Sequence, residues 1–241
     1  MSRRQRNACS VLVSKVASGA QDELTRVALI RRRLLRWFCG AERSFFWRLP
    51  AVTPFEILVT EILLSRTKAE AVEPVARAVL RRFRTPPGLA RANVYVVEEF
   101  LRPLGLQRKR ARALVECSRA LIEHFGGEVP HKQEDLLGLA YVGRYAASAV
   151  RCFAFHQRCA VMDANVARVY RRLFVGSPWA VLASVDDLWM FAERMMPIRR
   201  TREFNWALLD FGGTVCTPRW PRCAECPLKK TCDTSSLHSL R

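Results

Sequence analysis

The chain has 241 residues, half of them hydrophobic, which is enough for one large domain or two small ones with a real core. Its 40 basic and 22 acidic residues give a formal net charge of +18, which favours nucleic acid first and a membrane surface second. No apolar stretch approaches the roughly 20 residues of a membrane span, and the basic N-terminus lacks the sustained apolar region of a secretory signal. We therefore expect an intracellular protein of the cytoplasm or nucleoid, without a membrane partner.

Helical periodicity dominates the chain and alternating strand patterns are scarce, which predicts an all-α fold of about ten helices. Residues 1–20 indicate a flexible basic tail, and residues 22–38 an amphipathic helix. Thr53, followed by Pro54 and Glu56, is a helix start signal for the first of two helices in 53–83. The stretch 85–92 is expected to break the pattern. Further helices are predicted at 93–106, 109–127, 144–156, 163–174, 184–196 and 202–216.

The C-terminal sequence "CTPRWPRCAECPLKKTC" carries the most specific pattern. Its four cysteines, Cys216, Cys223, Cys226 and Cys232, follow one another at spacings of seven, three and six positions. Disulfides are rare inside cells, so four thiols this close indicate a metal site. One short knuckle with two longer arms favours an iron–sulfur cubane, and zinc stays open as the alternative. The other five cysteines are scattered and are expected to be small buried hydrophobes.

Two carboxylates lie in positions that suit chemistry. Glu61 has Ile57, Leu58 and Leu64 as its helical neighbours, so it either lies at the edge of an apolar stripe or is buried with a raised pKa or a specific partner. Such a buried carboxyl is how a general acid is prepared near neutral pH. Asp163 immediately precedes a predicted helix, as an N-cap would, and capping alone is a sufficient explanation there.

Two turns that lead into helices are candidate phosphate-binding sites. In "LAYVGRYAASAV" (139–150), Gly143 permits close backbone approach and Arg144 adds charge at a helix N-terminus, where an anion is favoured. In "GLQRKRARA" (105–113), four basic residues follow a similar turn. Ordinary solvated loops between helices are the alternative for both.

These elements, in this order, resemble the helix-hairpin-helix DNA glycosylases with a C-terminal [4Fe-4S] loop, the superfamily of endonuclease III and MutY. The resemblance runs from about Phe46 to Cys232. The pattern "TEILL–RT", the tyrosine after Gly143-Arg144, and the stretches "CFAF" and "DANV" make the chain most similar to the Mig-type mismatch thymine-DNA glycosylases. The resemblance implies a two-lobed fold, with a six-helix barrel in 46–160 and a helical cluster domain formed by 21–45 and 161–241.

The resemblance also implies roles for individual residues. Asp163 matches the catalytic aspartate, which stabilises the sugar cation left when a flipped base departs, and Glu61 matches the residue that manages a proton. Where bifunctional relatives carry a lysine that attacks the sugar, this chain has Tyr145, and no lysine lies between Lys132 and Lys229. We therefore expect a monofunctional enzyme that leaves an abasic site. The four loop cysteines become the ligands of a [4Fe-4S] cofactor.

The expected partner is double-stranded DNA that contains a mismatched or damaged base, bound by a monomer. Arg66 and Leu106 match the residues that fill the stack after base flipping. The other expected DNA contacts lie in the basic turn (Arg108, Lys109, Arg110), in the hairpin (Val142, Gly143, Arg144) and in the cysteine loop (Arg219 and Arg222, beside Trp220, Lys229 and Lys230).

The expected target is thymine or uracil opposite guanine, because the sequence has only nine residues after Cys232, whereas MutY has a further domain that recognises the damaged guanine. Adenine opposite guanine or 8-oxoguanine is the first alternative. A non-catalytic iron–sulfur DNA-binding module is the second, and an electron-transfer protein the third.

One hairpin residue departs from the superfamily. Relatives carry roughly Leu-Pro-Gly-Val-Gly, whereas this chain has Leu139-Ala140-Tyr141-Val142-Gly143 and so loses the first glycine. A bulky residue forced to positive φ costs about 1–2 kcal/mol. We expect the turn to survive with the ring of Tyr141 facing solvent or DNA.

Overall fold

A computed structural model of the protein describes residues 3–177 and 183–238. Within these residues the regular structure is helical and contains no strand, which confirms the all-α prediction. No helix in the described part is long and apolar enough to cross a membrane. The α-helices of the described residues are α1 (Arg3–Ala41), α2 (Pro54–Leu64), α3 (Ala69–Arg82), α4 (Pro86–Ala90), α5 (Val94–Leu101), α6 (Gln107–Phe125), α7 (Gln133–Gly138), α8 (Arg144–Phe153), α9 (Ala164–Leu173), α10 (Val185–Arg194), α11 (Thr201–Thr214) and α12 (Asp233–His238).

Two predicted stretches differ from the structure. Helix α1 begins at Arg3, so residues 3–20, expected to be a flexible tail, are helical; they contain no proline and several strong helix formers. The break expected at 85–92 contains the short helix α4, because the Thr85 hydroxyl caps the Gly88 N–H and two prolines occupy its first positions.

Residues 43–161 form one compact unit, built around α2. The Thr53 side chain accepts from the Glu56 N–H while the Glu56 carboxylate accepts from the Thr53 N–H, so the predicted capping box is present. Residues 55 and 57–63 of α2 are all buried, as expected of a helix with neighbours on most sides. Helices α3, α6 and α8 pack against α2, and α4 and α5 pack against α6.

Residues 1–42 and 162–241 form a second unit, in which α11 packs against both α1 and α9. Aromatic rings fill the contacts of this unit. Trp37 of α1 meets Phe211 of α11 edge-on at 5.5 Å between centroids, and Tyr170 of α9 meets Phe191 of α10 in the same way and at the same separation. Edge-to-face pairs of this kind contribute about 0.5–1.5 kcal/mol beyond the area that they bury.

Candidate functional site

The candidate proton-handling residue, Glu61, lies near the centre of α2 and is only 3% exposed. The surface-edge alternative is therefore wrong. Its helical neighbours Ile57 and Leu58 are buried as well, so Glu61 lies in the interior of the 43–161 unit. A carboxyl group in such surroundings is costly to ionise without compensating partners.

Tyr145 occupies the first turn of α8, the helix that packs against α2, and is half-buried. The next residues of α8 are small and buried (Ala146, Ala147, Ser148 and Ala149), which lets the two helices approach closely. Glu61 and Tyr145 thus belong to the same helix pair in the 43–161 unit.

Asp163 is the N-cap of α9, as predicted, and belongs to the second unit. Its Oδ1 accepts from the Val166 N–H at 2.8 Å, and its Oδ2 accepts from the Asn165 side-chain amide at 2.7 Å. Asn165 Oδ1 in turn accepts from Arg168 Nη2 at 2.9 Å. The same guanidinium donates to the carbonyls of Gly212 and Cys216, at 2.8 and 3.0 Å. These contacts fix the orientation of a half-exposed carboxylate.

Helices α9 and α11 approach each other so closely beside this carboxylate that no side chain fits at residue 212. A methyl group added to Gly212 would stand 2.9 Å from the Asn165 Cβ and 3.2 Å from its carbonyl carbon and oxygen. Gly212 therefore permits the separation at which Asn165 and Arg168 hold their partners.

A cleft of about 530 Å³ in the 43–161 unit is lined by the end of α2, the start of α6 and the hairpin before α8. Five non-glycine residues in the described part of the chain have positive φ, and three of them line this cleft: Arg66 (60°), Leu106 (53°) and Tyr141 (65°). Their side chains are exposed. Strained residues tend to cluster at functional sites, so their concentration here marks the cleft as a candidate contact surface.

One expected DNA contact in this region, Arg110, is corrected by the structure. Its side chain is 5% exposed, and its guanidinium donates to the carbonyls of Leu104, Gly105 and Ser65 at 2.7–2.8 Å and to the Thr67 hydroxyl. A guanidinium engaged with protein oxygens in this way has little left to offer a phosphate. Its neighbours Arg108 and Lys109 are exposed, as a phosphate contact requires.

The hairpin keeps its turn despite the loss of glycine. The Val142 N–H donates to the Leu139 carbonyl at 3.1 Å, and Tyr141 adopts the left-handed conformation that a glycine would supply. Its ring is 48% exposed, and the Lys109 ammonium stands 5.9 Å from the ring centroid. The expectation for Tyr141 is thus confirmed.

The contacts expected of the other hairpin residues are partly corrected. Val142 is 5% exposed and its N–H closes the turn, so neither its side chain nor its amide is presented to DNA. Gly143, the N-cap of α8, and Arg144 are exposed.

The cysteine loop folds back against α9. The Arg172 guanidinium donates to the Thr217 and Pro218 carbonyls at 2.7 and 2.8 Å and reaches Cys216 Sγ at 3.4 Å. In the described residues, no three metal-binding side chains are drawn together tightly enough for a single ion. The four thiols are nevertheless close enough to interact: burial, together with smaller contributions from charge on the other three cysteines, raises the pKa of Cys226 to about 11.

Backbone amides also point at the sulfurs. The Leu228 N–H lowers the pKa of Cys226, and the N–H groups of Ser235 and Thr234 lower that of Cys232, although burial raises both overall. Amide hydrogen bonds of this kind stabilise thiolates that serve as cluster ligands.

The loop exposes its basic residues together with one aromatic ring. Arg219 and Arg222 are exposed, and Trp220 between them is 86% exposed. The Thr217 hydroxyl donates to the Trp220 carbonyl at 2.6 Å and so stiffens the tip.

A family model of the HhH-GPD superfamily base excision DNA repair proteins matches residues 59–186, a stretch that includes Glu61, the hairpin and Asp163. The chain belongs to this superfamily. The resemblance inferred from the motifs is therefore confirmed.

Similar proteins within the HhH-GPD superfamily include enzymes with different targets. The chain is 35% identical to the thymine/uracil-DNA glycosylase of Methanothermobacter thermautotrophicus, over 83% of its own length and 90% of the relative's. It is 39% identical to the adenine DNA glycosylase of Mycolicibacterium smegmatis, over 81% of its own length and 66% of the relative's.

Solved structures of the superfamily support the fold. A thermostable thymine-DNA glycosylase superposes with a TM-score of 0.83 at 32% identity, covering 89% of this chain and 99% of that one. A non-covalent endonuclease III–DNA complex gives a TM-score of 0.78 at 25% identity, covering 90% of this chain and 98% of the other.

Three supporting residues of this superfamily member were missed by the sequence analysis: Asn165, Arg168 and Arg172. A signal was available, because Arg168 follows Asn165 by three positions and Arg172 follows Arg168 by four, so all three share a face of α9. The tertiary partners of that face, the Gly212 carbonyl and the loop carbonyls, could not be inferred from spacing.

Proposed function

We propose that the protein is a DNA glycosylase that hydrolyses the N-glycosidic bond of a flipped thymine or uracil opposite guanine. The proposal rests on the Asp163 carboxylate, whose orientation is fixed by hydrogen bonds to both oxygens. This carboxylate belongs to a member of a base excision repair superfamily. Similarity to a thymine/uracil-DNA glycosylase over 90% of that relative supports the choice of base.

Asp163 stabilises the oxocarbenium-like sugar as the base departs. A fixed negative charge stabilises a developing cation without reorganising during the reaction, and this is a large term in catalysis. Asn165 and the Val166 N–H hold the two oxygens in place, and the Asp163 carboxylate also orients the attacking water.

Glu61 manages the proton that accompanies departure of the base or attack of water. Glu61 is buried in its helix, whereas Asp163 is half-exposed and accepts hydrogen bonds at both carboxylate oxygens. Two carboxyl groups in unlike environments are typical of hydrolysis at a sugar carbon.

The product is an abasic site rather than a broken strand. Strand cleavage by this route requires an amine that attacks the sugar carbon and forms a Schiff base. The position matched to that amine holds Tyr145, whose phenol cannot form an imine.

The four cysteines hold a [4Fe-4S] cluster, with Cys216, Cys223, Cys226 and Cys232 as ligands. Their mutual proximity, the amides aimed at two of the sulfurs and the anchoring by Arg172 support this assignment. When bound, the cluster supplies a rigid cross-link that fixes the loop carrying Arg219 and Arg222. A loss of iron together with the absorbance near 400 nm in Cys226→Ser, and neither loss in Cys39→Ser, is the expected result. Zinc in place of iron in freshly purified protein would contradict it.

The protein binds duplex DNA as a monomer. Arg66, Leu106, Arg108, Lys109, Gly143, Arg144, Arg219 and Arg222 are the proposed contacts, and all are exposed. The excess of 18 positive charges supplies the salt-dependent part of the affinity.

Adenine is the second candidate base. It is favoured by the 39% identity to an adenine DNA glycosylase, which is higher than the 35% identity to the thymine/uracil enzyme. The same two carboxylates serve the removal of either base.

The test uses duplexes that differ only in one pair: T·G, U·G, A·G or A·8-oxoguanine. Purified protein is incubated with each, and strands are separated with and without alkali. Alkali-dependent cleavage of T·G and U·G alone is expected. Cleavage only of the adenine duplexes selects the second candidate, cleavage before alkali contradicts the abasic product, and binding without any cleavage indicates a non-catalytic module.

A further inference from the structure

The buried guanidinium of Arg110 ties together two loops that are far apart in sequence. From the first turn of α6, its Nη1 donates to the Leu104 and Gly105 carbonyls at 2.8 and 2.7 Å. Its Nη2 donates to the Ser65 carbonyl at 2.8 Å and to the Thr67 hydroxyl. One side chain thus fixes the α2–α3 loop relative to the turn before α6.

Each tied loop contains one strained residue. Ser65 and Thr67 flank Arg66, whose φ is 60°, and Gly105 precedes Leu106, whose φ is 53°. The left-handed conformation is strained for residues with a side chain, so it persists only where the surroundings enforce it. The hydrogen bonds of Arg110 fall on the atoms beside these two residues.

Both strained side chains are exposed and line the same cleft. Leu106 is 59% exposed although it is a large apolar residue. An exposed apolar side chain fixed in this way suits insertion between stacked bases.

We propose that Arg110 is a positioning residue that makes Arg66 and Leu106 act as one wedge, entering the duplex together when the target base leaves the stack. The proposal rests on the proposed function, since a wedge is needed only where a base is flipped. Arg110 itself does not contact DNA, because its guanidinium is buried.

The geometry requires arginine rather than any cation. A guanidinium is planar and donates from two nitrogens in a fixed fork, whereas a lysine ammonium is a single point that cannot bond both loops in the same way. Arg110→Lys therefore keeps the charge and most of the buried stem while it releases one of the two loops.

The matched control is Arg119→Lys in the same helix. Arg119 Nε donates to the Ala90 carbonyl at 3.1 Å, and Arg119 does not line the cleft. Both variants and the wild type are compared by thermal unfolding before any assay.

The first assay measures single-turnover release of uracil from two duplexes. One places uracil opposite guanine, and the other places it opposite an abasic-site analogue, where flipping costs less. For Arg110→Lys we expect a loss of roughly 10- to 100-fold on the U·G duplex and less than about 3-fold on the other. Arg119→Lys should change neither. An equal loss on both duplexes, or no loss on either, overturns the proposal.

The second assay needs no catalysis. A duplex with 2-aminopurine opposite the abasic-site analogue becomes more fluorescent when a wedge unstacks the fluorophore. The wild type and Arg119→Lys should raise the fluorescence at saturating protein, and Arg110→Lys should raise it much less. Wild-type protein that releases no base from any duplex refutes the proposed function, while this assay still decides the role of Arg110. Equal fluorescence with Arg110→Lys refutes that role.

A milder variant covers the case in which Arg110→Lys fails to fold. Thr67→Val removes one acceptor on the α2–α3 loop and leaves the bonds from Arg110 to Leu104 and Gly105. We expect the rate of uracil release to fall by about 3- to 10-fold on the U·G duplex and to change less on the duplex with uracil opposite an abasic-site analogue. Wild-type rates on both duplexes would overturn the proposal.

Discussion

The proposed wedge residues of one unit and the proposed catalytic aspartate of the other are held in opposite ways. In the 43–161 unit, Arg66, Leu106 and Tyr141 are exposed and have positive φ. In the other unit, Asp163 has the extended backbone of an ordinary N-cap, and both of its carboxylate oxygens accept hydrogen bonds. The backbone is strained at the three exposed residues, whereas it is unstrained at Asp163, whose side chain is held by hydrogen bonds instead.

The difference follows from what each group has to do. A side chain that displaces a base works through its shape and its protrusion into solvent, which a strained turn can provide. A carboxylate that stabilises a cation works through the position of its charge, which hydrogen bonds to both oxygens fix better than a turn does. Substitutions in the two units should therefore differ in size and in kind.

The largest effect is expected for Asp163→Asn. Asparagine is as good an N-cap as aspartate, so α9 and the fold should be retained while the charge is lost. We expect the base-release rate to fall about 10³-fold with little change in DNA affinity, measured by single-turnover kinetics and fluorescence anisotropy. A comparable loss of affinity would mean that Asp163 acts in binding.

Asn165→Ala should come next. The change removes one of the two hydrogen bonds to the Asp163 carboxylate and leaves the capped Val166 N–H in place. We expect a loss of about 10- to 100-fold in rate at an unchanged dissociation constant. Asn165→Asp, which keeps the shape but places a second negative charge beside Asp163, should not restore the rate.

Leu106→Ala tests the strained unit. Removal of the exposed side chain should reduce release of uracil opposite guanine by about tenfold and leave release opposite an abasic-site analogue within about twofold. Leu49→Ala, at another exposed leucine in the same unit, is the control. A loss of folding stability in Leu106→Ala would contradict a role confined to DNA.

The double substitution Arg219→Ala, Arg222→Ala should act through charge alone. Each phosphate contact contributes about one to the slope of log affinity against log salt, so the slope should become shallower by about two. Titrations with undamaged and mismatched duplexes at several salt concentrations measure it. A change in the preference for the mismatch would show that the cysteine loop reads sequence as well as phosphate.

The smallest effect is expected for Tyr141→Gly, and its sign is opposite for folding and for binding. Glycine adopts φ near 65° without steric cost, so stability should rise by about 1 kcal/mol or a few degrees in Tm. DNA affinity should fall at most severalfold, because the exposed ring beside Lys109 is lost. A variant that gains both stability and affinity would show that the ring is merely tolerated.

Local signals in the sequence predicted local features well. The capping box at Thr53 and the cap at Asp163 each depend on residues within one helical turn, and the structure contains both. For Glu61 the sequence left the surface edge and the interior open, because its helical neighbours do not show what packs against them. The roles of Arg110 and Val142 were misjudged, because an arginine in a basic run and a valine beside a glycine carry no mark of burial. Arg110 is buried against the Ser65 carbonyl and the Thr67 hydroxyl, 45 and 43 residues away, as well as against near neighbours, and spacing along one helix does not reveal such partners.

The approach of α9 and α11 at Gly212 makes the chemistry sensitive to helix spacing. Arg168 reaches the Gly212 carbonyl only while α9 and α11 stay close together, and they can do so because residue 212 has no side chain. The position of Asn165 depends on the same close approach. Gly212→Ala adds one methyl group at a position that contacts neither DNA nor Asp163. It would nevertheless turn the Asp163 carboxylate away, because the methyl group displaces Asn165, which donates a hydrogen bond to that carboxylate. The orientation of this carboxylate thus depends on a distance between two helices that is set by the absence of a side chain rather than by the presence of one.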